Sequence, residues 1–479
     1  MKARSRKAEV TTTGTARWMV PLAGAGLVFA ALLVYTNSFS GPFIFDDFLS
    51  IPDNPTIRHL LTSFAPPGGG VTVTGRPVLN FSFALNQALS GNHVWSYHAL
   101  NLVIHVLAGL TLFGIVRRTL AGLASKTPAP AFSSASDATL IGFSTALLWL
   151  VHPLQTESVT YIVQRAESLM SLFFLLTLYA FIRGADGKRR GAWFWLAFVS
   201  CLLGMATKEV MVSAPVIVLL YDRTFLSGTF NAAWRQRWKI HVALASTWIL
   251  LAMVVLRSAN RGGSAGFGLG VGFWDYFATQ FQAMAHYLWL VVWPRPLIID
   301  YGVQWATSAW TVVPYAIVIS SLALATLVAL VRRPALGFLG AVFFALLAPS
   351  SSVPVIRQTL AEHRMYLALA PVIVVLVLTM YARFDQRSGW IVAVAALVLG
   401  ALTVQRNTDY RSSATIWRDT VTKRPGNAAA HNNYGNILAQ SGQPAEAIAQ
   451  YDDAVRIDPH FADAYFNAGN ALMKLGRIP

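Results

Sequence analysis

Long apolar runs recur through the first 405 residues and constrain the fold more than any other feature of this sequence. A hydrocarbon layer about 30 Å thick needs roughly 20 apolar residues in each helix that crosses it. Irregular backbone is excluded from that layer because its polar groups would find no partners there. The sequence therefore predicts an all-α, polytopic membrane protein. The predicted crossings are residues 18–38, 96–116, 138–151, 166–183, 191–207, 209–221, 241–256, 310–331, 336–348, 366–382 and 388–404, whereas 273–293 is predicted to be re-entrant or interfacial.

The composition excludes several other classes of protein. Hydrophobic residues make up 55% of the chain and charged residues 12%, against roughly a quarter charged in a soluble domain. The formal net charge is +16, but the basic residues lie between apolar runs, so no nucleic-acid surface is predicted. Cys201 is the only cysteine, which excludes a disulfide framework and a cysteine metal cluster.

The distribution of charge predicts how the protein is oriented in the membrane. With eleven crossings and an uncleaved first span, the internal segments hold 20 of the 37 Lys and Arg residues, as the positive-inside rule requires. The basic start and short loops are typical of a bacterial inner membrane. Nine acidic residues lie in the outer loops. The active site and the C-terminal tail are therefore predicted to face the periplasm.

After residue 405 the sequence becomes polar, Ala-rich and periodic. Pairs of identical residues 34 apart include Pro425 with Pro459 and Gly435 with Gly469, a period typical of tetratricopeptide repeats. About one and a half repeats are present, fewer than the three or so that a stable array needs. We expect either that the chain is cut short or that a partner covers the open end. The predicted domains are 1–405, in the membrane, and 406–479, the repeat tail.

Two adjacent carboxylates, Asp46 and Asp47, follow the first span within Gly41-Pro42-Phe43-Ile44-Phe45-Asp46-Asp47-Phe48. One could act as a general base while the other orients an acceptor or a cation. A solvated turn is the structural alternative. The pair is the strongest catalytic candidate in the sequence.

Other charged residues lie at predicted outer ends of helices. Arg165, Lys208 and Arg364 are candidates for binding a phosphate. Arg165 could donate two hydrogen bonds from its guanidinium, and Lys208 and Arg364 could neutralise a phosphate or diphosphate leaving group. His152 and Glu157 could bind a metal or a hydroxyl, but no third ligand accompanies them at helical spacing, so no metal is predicted. Loop capping and snorkelling are the alternatives for these residues. The remaining site candidates are Glu167, Glu362, His363 and Arg76.

Several motifs occur in a fixed order before the repeats: FIFDDF, GRPVLNFSFALN, SYHALNLVIHVLAGL, HPLQTESVTYIVQRAESL, ATKEV and LAEHRMYL. Together they resemble the transmembrane and tetratricopeptide-repeat-containing O-mannosyltransferases and their bacterial relatives, over nearly the whole chain. The resemblance implies a GT-C glycosyltransferase fold with about 11 transmembrane helices. It also implies transfer of a sugar, mannose in this family, from a polyprenyl phosphate with inversion on the outer face. No soluble cofactor is implied, and nothing in the sequence supports a divalent metal.

The resemblance also assigns roles to residues that match the motifs. It implies that Asp46 or Asp47 is the catalytic base and that Arg165 and Arg364 hold the lipid phosphate. The repeats would recruit a protein acceptor with Ser or Thr hydroxyls. A flippase for lipid-linked sugar and a membrane-anchored repeat scaffold are the alternative functions.

Overall fold

The computed structural model describes residues 12–476 apart from 127–133, 188, 259–260, 262, 269, 304, 307 and 356–357. Apart from one isolated bridge between Ala265 and Val355, the regular structure of these residues is helical. The membrane region comprises α1 (Thr12–Tyr35), α2 (Pro77–Ser90), α3 (Trp95–Lys126), α4 (Ala135–Leu150), α5 (Arg165–Asp186), α6 (Arg190–Met205), α7 (Ala214–Tyr221), α8 (Phe230–Arg257), α9 (Phe273–Val292), α10 (Ala309–Arg332), α11 (Pro334–Ser352), α12 (Met365–Phe384) and α13 (Ser388–Asp409). The tail comprises α14 (Ser413–Lys423), α15 (Ala428–Gln440), α16 (Pro444–Ile457) and α17 (Ala462–Lys474).

The predicted fold class, a helical membrane protein with a repeat tail, is confirmed. Within the described residues, nine helices are long and apolar enough to cross a membrane. A tenth candidate is α4 with the short helix Pro153–Val159, which meets it at a bend of 57°. Helix α6 is apolar but shorter than the nine. Every predicted crossing thus lies on a helix, but the length and hydropathy of single helices support nine or ten crossings rather than eleven.

Helix α9 covers the segment that was predicted to be re-entrant or interfacial. It is one continuous helix of 20 residues, without the break that a re-entrant loop needs. One face of the helix is buried, including Tyr276, Gln280, Ala283 and Tyr287. It packs on α10 and α11. The interfacial alternative stays a prediction.

Helix α10 has a long apolar surface that the described part of the chain leaves uncovered. Its most hydrophobic 18-residue window is 6% buried within the protein. Trp310, Ile317, Leu324 and Val331 are each more than half exposed. Exposed apolar area of this extent is rare on soluble monomers, so this helix lies at the lipid-facing edge of the bundle.

The predicted outer segments fold together into a second apolar core beyond one end of the bundle. This outer core joins the loop after α1, the helix α2, the turn before α5 and the first tail helix α14. Its members include Ile44, Phe83, Tyr161, Val163 and Trp417. The loops that the charge pattern assigns to one side of the membrane therefore meet in space, whereas the compartment they face stays a prediction.

The repeat tail offers a direct test of its close packing. An added Cβ at Gly435 in α15 would lie 2.5 Å from the ring of Tyr451 in α16, so we expect Gly435→Ala to destabilise the tail by about 1–3 kcal/mol. Gly469, 34 residues later in α17, is the matched control because an added Cβ there would meet nothing within 4 Å. Gly469→Ala should stabilise α17 by up to about 1 kcal/mol through helix propensity. Hydrogen exchange of the tail amides in the full chain would measure both effects, and equal protection in the two variants would contradict the prediction.

Candidate active site

Asp47 anchors the loop that carries the acidic pair. Its carboxylate is fully buried and accepts hydrogen bonds from the backbone N–H of Ile44 at 2.9 Å and of Val163 at 2.7 Å. Burial raises the pKa of Asp47 well above its ordinary value, although both N–H donors act in the opposite direction. One oxygen of Asp47 thus binds the first outer loop and the other binds the turn before α5, so the side chain joins these two segments. Neither oxygen is accessible to solvent.

Asp46 is the half-buried member of the pair. Its N–H donates to the hydroxyl of Tyr161 at 2.9 Å, and the hydroxyl of Thr72 lies 3.4 Å from its Oδ2. Asp46 also interacts electrostatically with Arg261. The preceding residue, Phe45, has a φ of +44°, a conformation that bulky residues rarely adopt. The loop thus places the Asp46 carboxylate near Arg261.

Two arginines from distant segments meet on the carboxylate of Glu209. Arg76 Nη2 lies 3.0 Å from Glu209 Oε2, and Arg261 Nε lies 3.4 Å from Oε1. Arg76 also donates to the backbone carbonyl of Thr72 at 2.9 Å, the residue whose hydroxyl faces Asp46. Burial and the charge of Arg76 lower the pKa of Arg261 to about 10, although Glu209 raises it. The ion pairs therefore connect directly to the acidic loop.

Lys208 and Arg364 extend this group on its other side. Lys208 forms an ion pair with Glu167. Arg364 is half-buried and donates to the backbone carbonyls of Gln358 at 3.0 Å and Thr359 at 3.2 Å. Both of these acceptors are neutral. A small cavity is lined by Glu167 and Arg364 together with apolar side chains, among them Met170, Leu346 and Leu367. We call the following residues the charged cluster: Asp46, Arg76, Glu167, Lys208, Glu209, Arg261 and Arg364.

Burial of Lys208 predicts a pH dependence for any anion bound by the charged cluster. Desolvation lowers the pKa of Lys208 to about 8, although Glu167 opposes the shift. The ammonium is therefore charged below about pH 8 and neutral above it, so affinity for a phosphate should fall as the pH rises through 8. Lys208→Arg keeps the charge at higher pH and should move this loss of affinity upward. Donor KM measured between pH 6.5 and 9.5 in both proteins tests this, and identical profiles would contradict it.

Arg165, predicted to hold the lipid phosphate, is placed differently by the structure. It is fully buried, and its guanidinium donates to Asn101 Oδ1 at 2.6 Å, Asn86 Oδ1 at 2.7 Å and the carbonyls of Ser82 and Tyr97, each at 3.0 Å. Its guanidinium carbon lies 4.6 Å from the centre of the Phe83 ring. All three nitrogens are used inside the outer core. We therefore assign Arg165 a structural role and no longer a role in phosphate binding.

The other predicted site residues lie in a neighbouring buried network. His363 Nδ1 lies 2.7 Å from Glu157 Oε1, and its backbone N–H donates to Oε2 at 2.8 Å. Glu362 accepts from the hydroxyl of Tyr301 at 2.6 Å. His152 caps its own turn by accepting from the N–H of Leu154 at 3.2 Å, which fits the capping alternative. Among the described residues, no three His, Cys, Asp or Glu side chains are grouped to hold a metal.

Sequence reasoning missed two members of the charged cluster. Arg261 precedes a glycine-rich stretch that lacks the order of a nucleotide-binding loop, and nothing in the motifs marks it. Glu209 lies within the motif ATKEV, beside Lys208. Its role becomes apparent only when the fold brings two distant arginines to it.

These features define a helical membrane protein with a charged site at one end of its bundle and a docked repeat tail. A family model described as TPR repeat matches residues 435–476. The human protein O-mannosyl-transferase TMTC1 is 26% identical over 511 residues, which cover 93% of this chain and 56% of the relative. The Drosophila melanogaster protein O-mannosyl-transferase Tmtc3 is 25% identical over 530 residues, covering 94% and 56%. Human TMTC2, with the same description, is 31% identical over 207 residues, covering 40% and 23%.

The chain is thus a homologue of the transmembrane and repeat-containing protein O-mannosyl-transferases, as the motifs predicted. The similarity to TMTC1 and Tmtc3 extends over about nine-tenths of this chain. The chain itself spans little more than half the length of these two relatives. No solved structure matches the chain significantly.

Proposed function

We propose that this protein is an integral membrane glycosyltransferase that moves mannose from a polyprenyl-phosphate donor to a Ser or Thr hydroxyl of a protein acceptor. The proposed membrane is the bacterial inner membrane, with the site and the tail facing the periplasm. The names of the relatives support a mannosyl transfer to protein. The donor and the mechanism rest on the charged cluster.

The observation that carries the proposal is the convergence of Asp46 with cations from several distant segments of the chain. The charged cluster contains four cationic side chains and three carboxylates. Its surplus of positive charge suits a phosphate, whose negative charge develops as the bond to the sugar breaks. The half-buried Asp46 lies on the same surface, where an acceptor hydroxyl would approach.

The mechanism is a single displacement at the anomeric carbon. Asp46 takes the proton of the acceptor hydroxyl while the hydroxyl oxygen bonds to the anomeric carbon. The bond from that carbon to the phosphate oxygen breaks, and the polyprenyl phosphate leaves with the electron pair toward Arg364 and Arg261. Attack from the face opposite the leaving group inverts the anomeric configuration. The negative charge that develops on the departing phosphate oxygen is thus stabilised by guanidinium groups.

A lipid donor also fits the surroundings of the charged cluster. The cavity beside Arg364 is lined on its other sides by apolar residues of α5, α11 and α12, including Met170, Leu346 and Leu367. Since the phosphate of a lipid donor stays at the membrane boundary while its chain lies in the hydrocarbon, the charged residues suit the phosphate and the apolar residues beside them suit the start of the chain, whereas the cavity itself is too small to hold either. A soluble nucleotide sugar has no lipid chain that could contact these apolar residues.

The proposal is tested with the purified chain in liposomes that contain polyprenyl-phosphate [³H]mannose and a Ser/Thr-rich peptide. The expected result is label on the peptide through a linkage whose anomeric configuration is opposite to that of the donor. Liposomes without protein and donor with glucose in place of mannose serve as controls. Movement of the intact donor across the bilayer without any labelled peptide would instead indicate a flippase and would overturn the proposal.

A further inference from the structure

The first tail helix, α14, is built into the outer core beneath the acidic pair. Its residues Ile416 and Trp417 are buried in the same apolar cluster as Phe43, Ile44 and Val163. Residues 43 and 44 precede the acidic pair, and the N–H of Val163 holds Asp47. The tail is therefore part of the scaffold that shapes the catalytic loop, in addition to any role in binding an acceptor.

Polar contacts fix α14 against the membrane region. Arg406, near the end of α13, lies 2.9 Å from the carboxylate of Asp419 in α14. Lys423 donates to the backbone carbonyl of Leu297 at 3.1 Å. Asn427 donates to the carbonyl of Asp300 at 3.0 Å. Two of these contacts come from α14 and the third from Asn427 just after it, and together they hold the start of the tail against α13 and the segment that contains Leu297 and Asp300.

One contact reaches the residue next to the proposed base. The ring of Phe45 meets the ring of Trp417 edge to face, with 5.1 Å between centroids and 85° between planes. Trp417 is 2% exposed, whereas Phe45 is 40% exposed and has a φ of +44°. A bulky residue keeps that backbone conformation only when its surroundings hold it there. Trp417 is the side chain of the tail that supplies such a contact.

We infer that Trp417 is a positioning residue that holds Phe45, and through it Asp46, in the orientation needed for proton transfer. This inference rests on the proposed function, because it gives the tail a part in the chemical step. Without the indole ring, the backbone at Phe45 can relax and turn the Asp46 carboxylate away from the sugar. A displacement of about 1 Å in a reacting group can reduce a rate by about 100-fold.

The test measures hydrolysis of polyprenyl-phosphate mannose by the full chain, with water as acceptor, so that recruitment of a protein by the repeats does not contribute. Trp417→Ala should lower kcat by about 10- to 100-fold and leave the donor KM unchanged, and Trp417→Phe should restore most of the loss. Tyr451→Ala is the matched control, since it removes a buried aromatic ring of the tail that belongs to a separate apolar cluster from Trp417. Its kcat for hydrolysis should equal that of the wild type.

Phe45→Leu provides a second variant if Trp417→Ala does not fold. Leucine at this partly exposed position keeps an apolar side chain but removes the edge-to-face contact, and kcat should fall to the same extent. Wild-type kcat in Phe45→Leu, or an equal loss in Tyr451→Ala, would overturn the positioning role while leaving the transferase itself intact. Absence of hydrolysis and of transfer by the wild type would overturn both this inference and the proposed function.

Discussion

Asp46→Asn should reduce the kcat for mannose transfer by about 10²- to 10⁴-fold, the usual contribution of a positioned general base. Asparagine has nearly the same shape and can still accept from the Thr72 hydroxyl, so only the electrostatic interaction with Arg261 is lost and the unfolding midpoint should change little. Donor KM should change little, because the phosphate contacts belong to other members of the charged cluster. Initial rates in liposomes, with thermal unfolding in detergent as the control for folding, measure both effects.

Asp47→Asn separates the two members of the pair. Its amide nitrogen would face one of the two backbone N–H groups that the carboxylate now accepts from. Leaving one such buried group unsatisfied costs about 1–3 kcal/mol, so this variant should lose stability as well as activity. If Asp46→Asn were fully active while Asp47→Asn was folded and inactive, Asp46 would not be the base.

Arg165→Leu should destabilise the protein by more than about 3 kcal/mol and prevent accumulation of folded protein. The substitution removes the donor from four buried acceptors, the side chains of Asn101 and Asn86 and the carbonyls of Ser82 and Tyr97. Each unsatisfied acceptor costs about 1–3 kcal/mol. Size-exclusion profiles and thermal unfolding of the detergent-solubilised chain measure the effect.

Arg364→Met is the matched comparison, because Arg364 is half-buried and donates mainly to two backbone carbonyls. It should remain folded and raise the donor KM by 10-fold or more, since a charge-assisted contact to phosphate contributes roughly 1.5–3 kcal/mol. The assignment of roles would be contradicted if Arg165→Leu were stable with a raised donor KM and Arg364→Met had wild-type kinetics.

The architecture was accessible from the sequence because its physical signals are strong. An apolar run of about 20 residues has few alternatives to a membrane helix, and the 34-residue period of Gly435 and Gly469 indicates a repeat whatever its surroundings. Asp46 and Asp47 could be named as candidates from the sequence because they are adjacent and directly follow a span, although a solvated turn accounts for such a pair equally well. The relatives confirm the resemblance that these motifs indicated.

The different roles of the basic residues could not be predicted from the sequence, because they depend on which side chains the fold buries. Arg165 and Arg364 both lie beside a predicted outer helix end, and the sequence suggests the same role for each. The structure shows that buried acceptors from α2 and α3 surround the first, whereas the second lines a cavity. Likewise, the sequence around Arg261 and Trp417 contains no motif that indicates a role, because their partners Glu209 and Phe45 are distant in the sequence.

In the proposed complex, the charged cluster holds the donor phosphate and the sugar faces Asp46. The most direct measurement is a cryo-electron microscopy structure of the D46N variant with polyprenyl-phosphate mannose bound. We predict phosphate density within ion-pair distance of Arg261 and Arg364, with the anomeric carbon facing the substituted side chain. Phosphate density at the opposite end of the bundle, or mannose turned away from the first outer loop, would contradict the account.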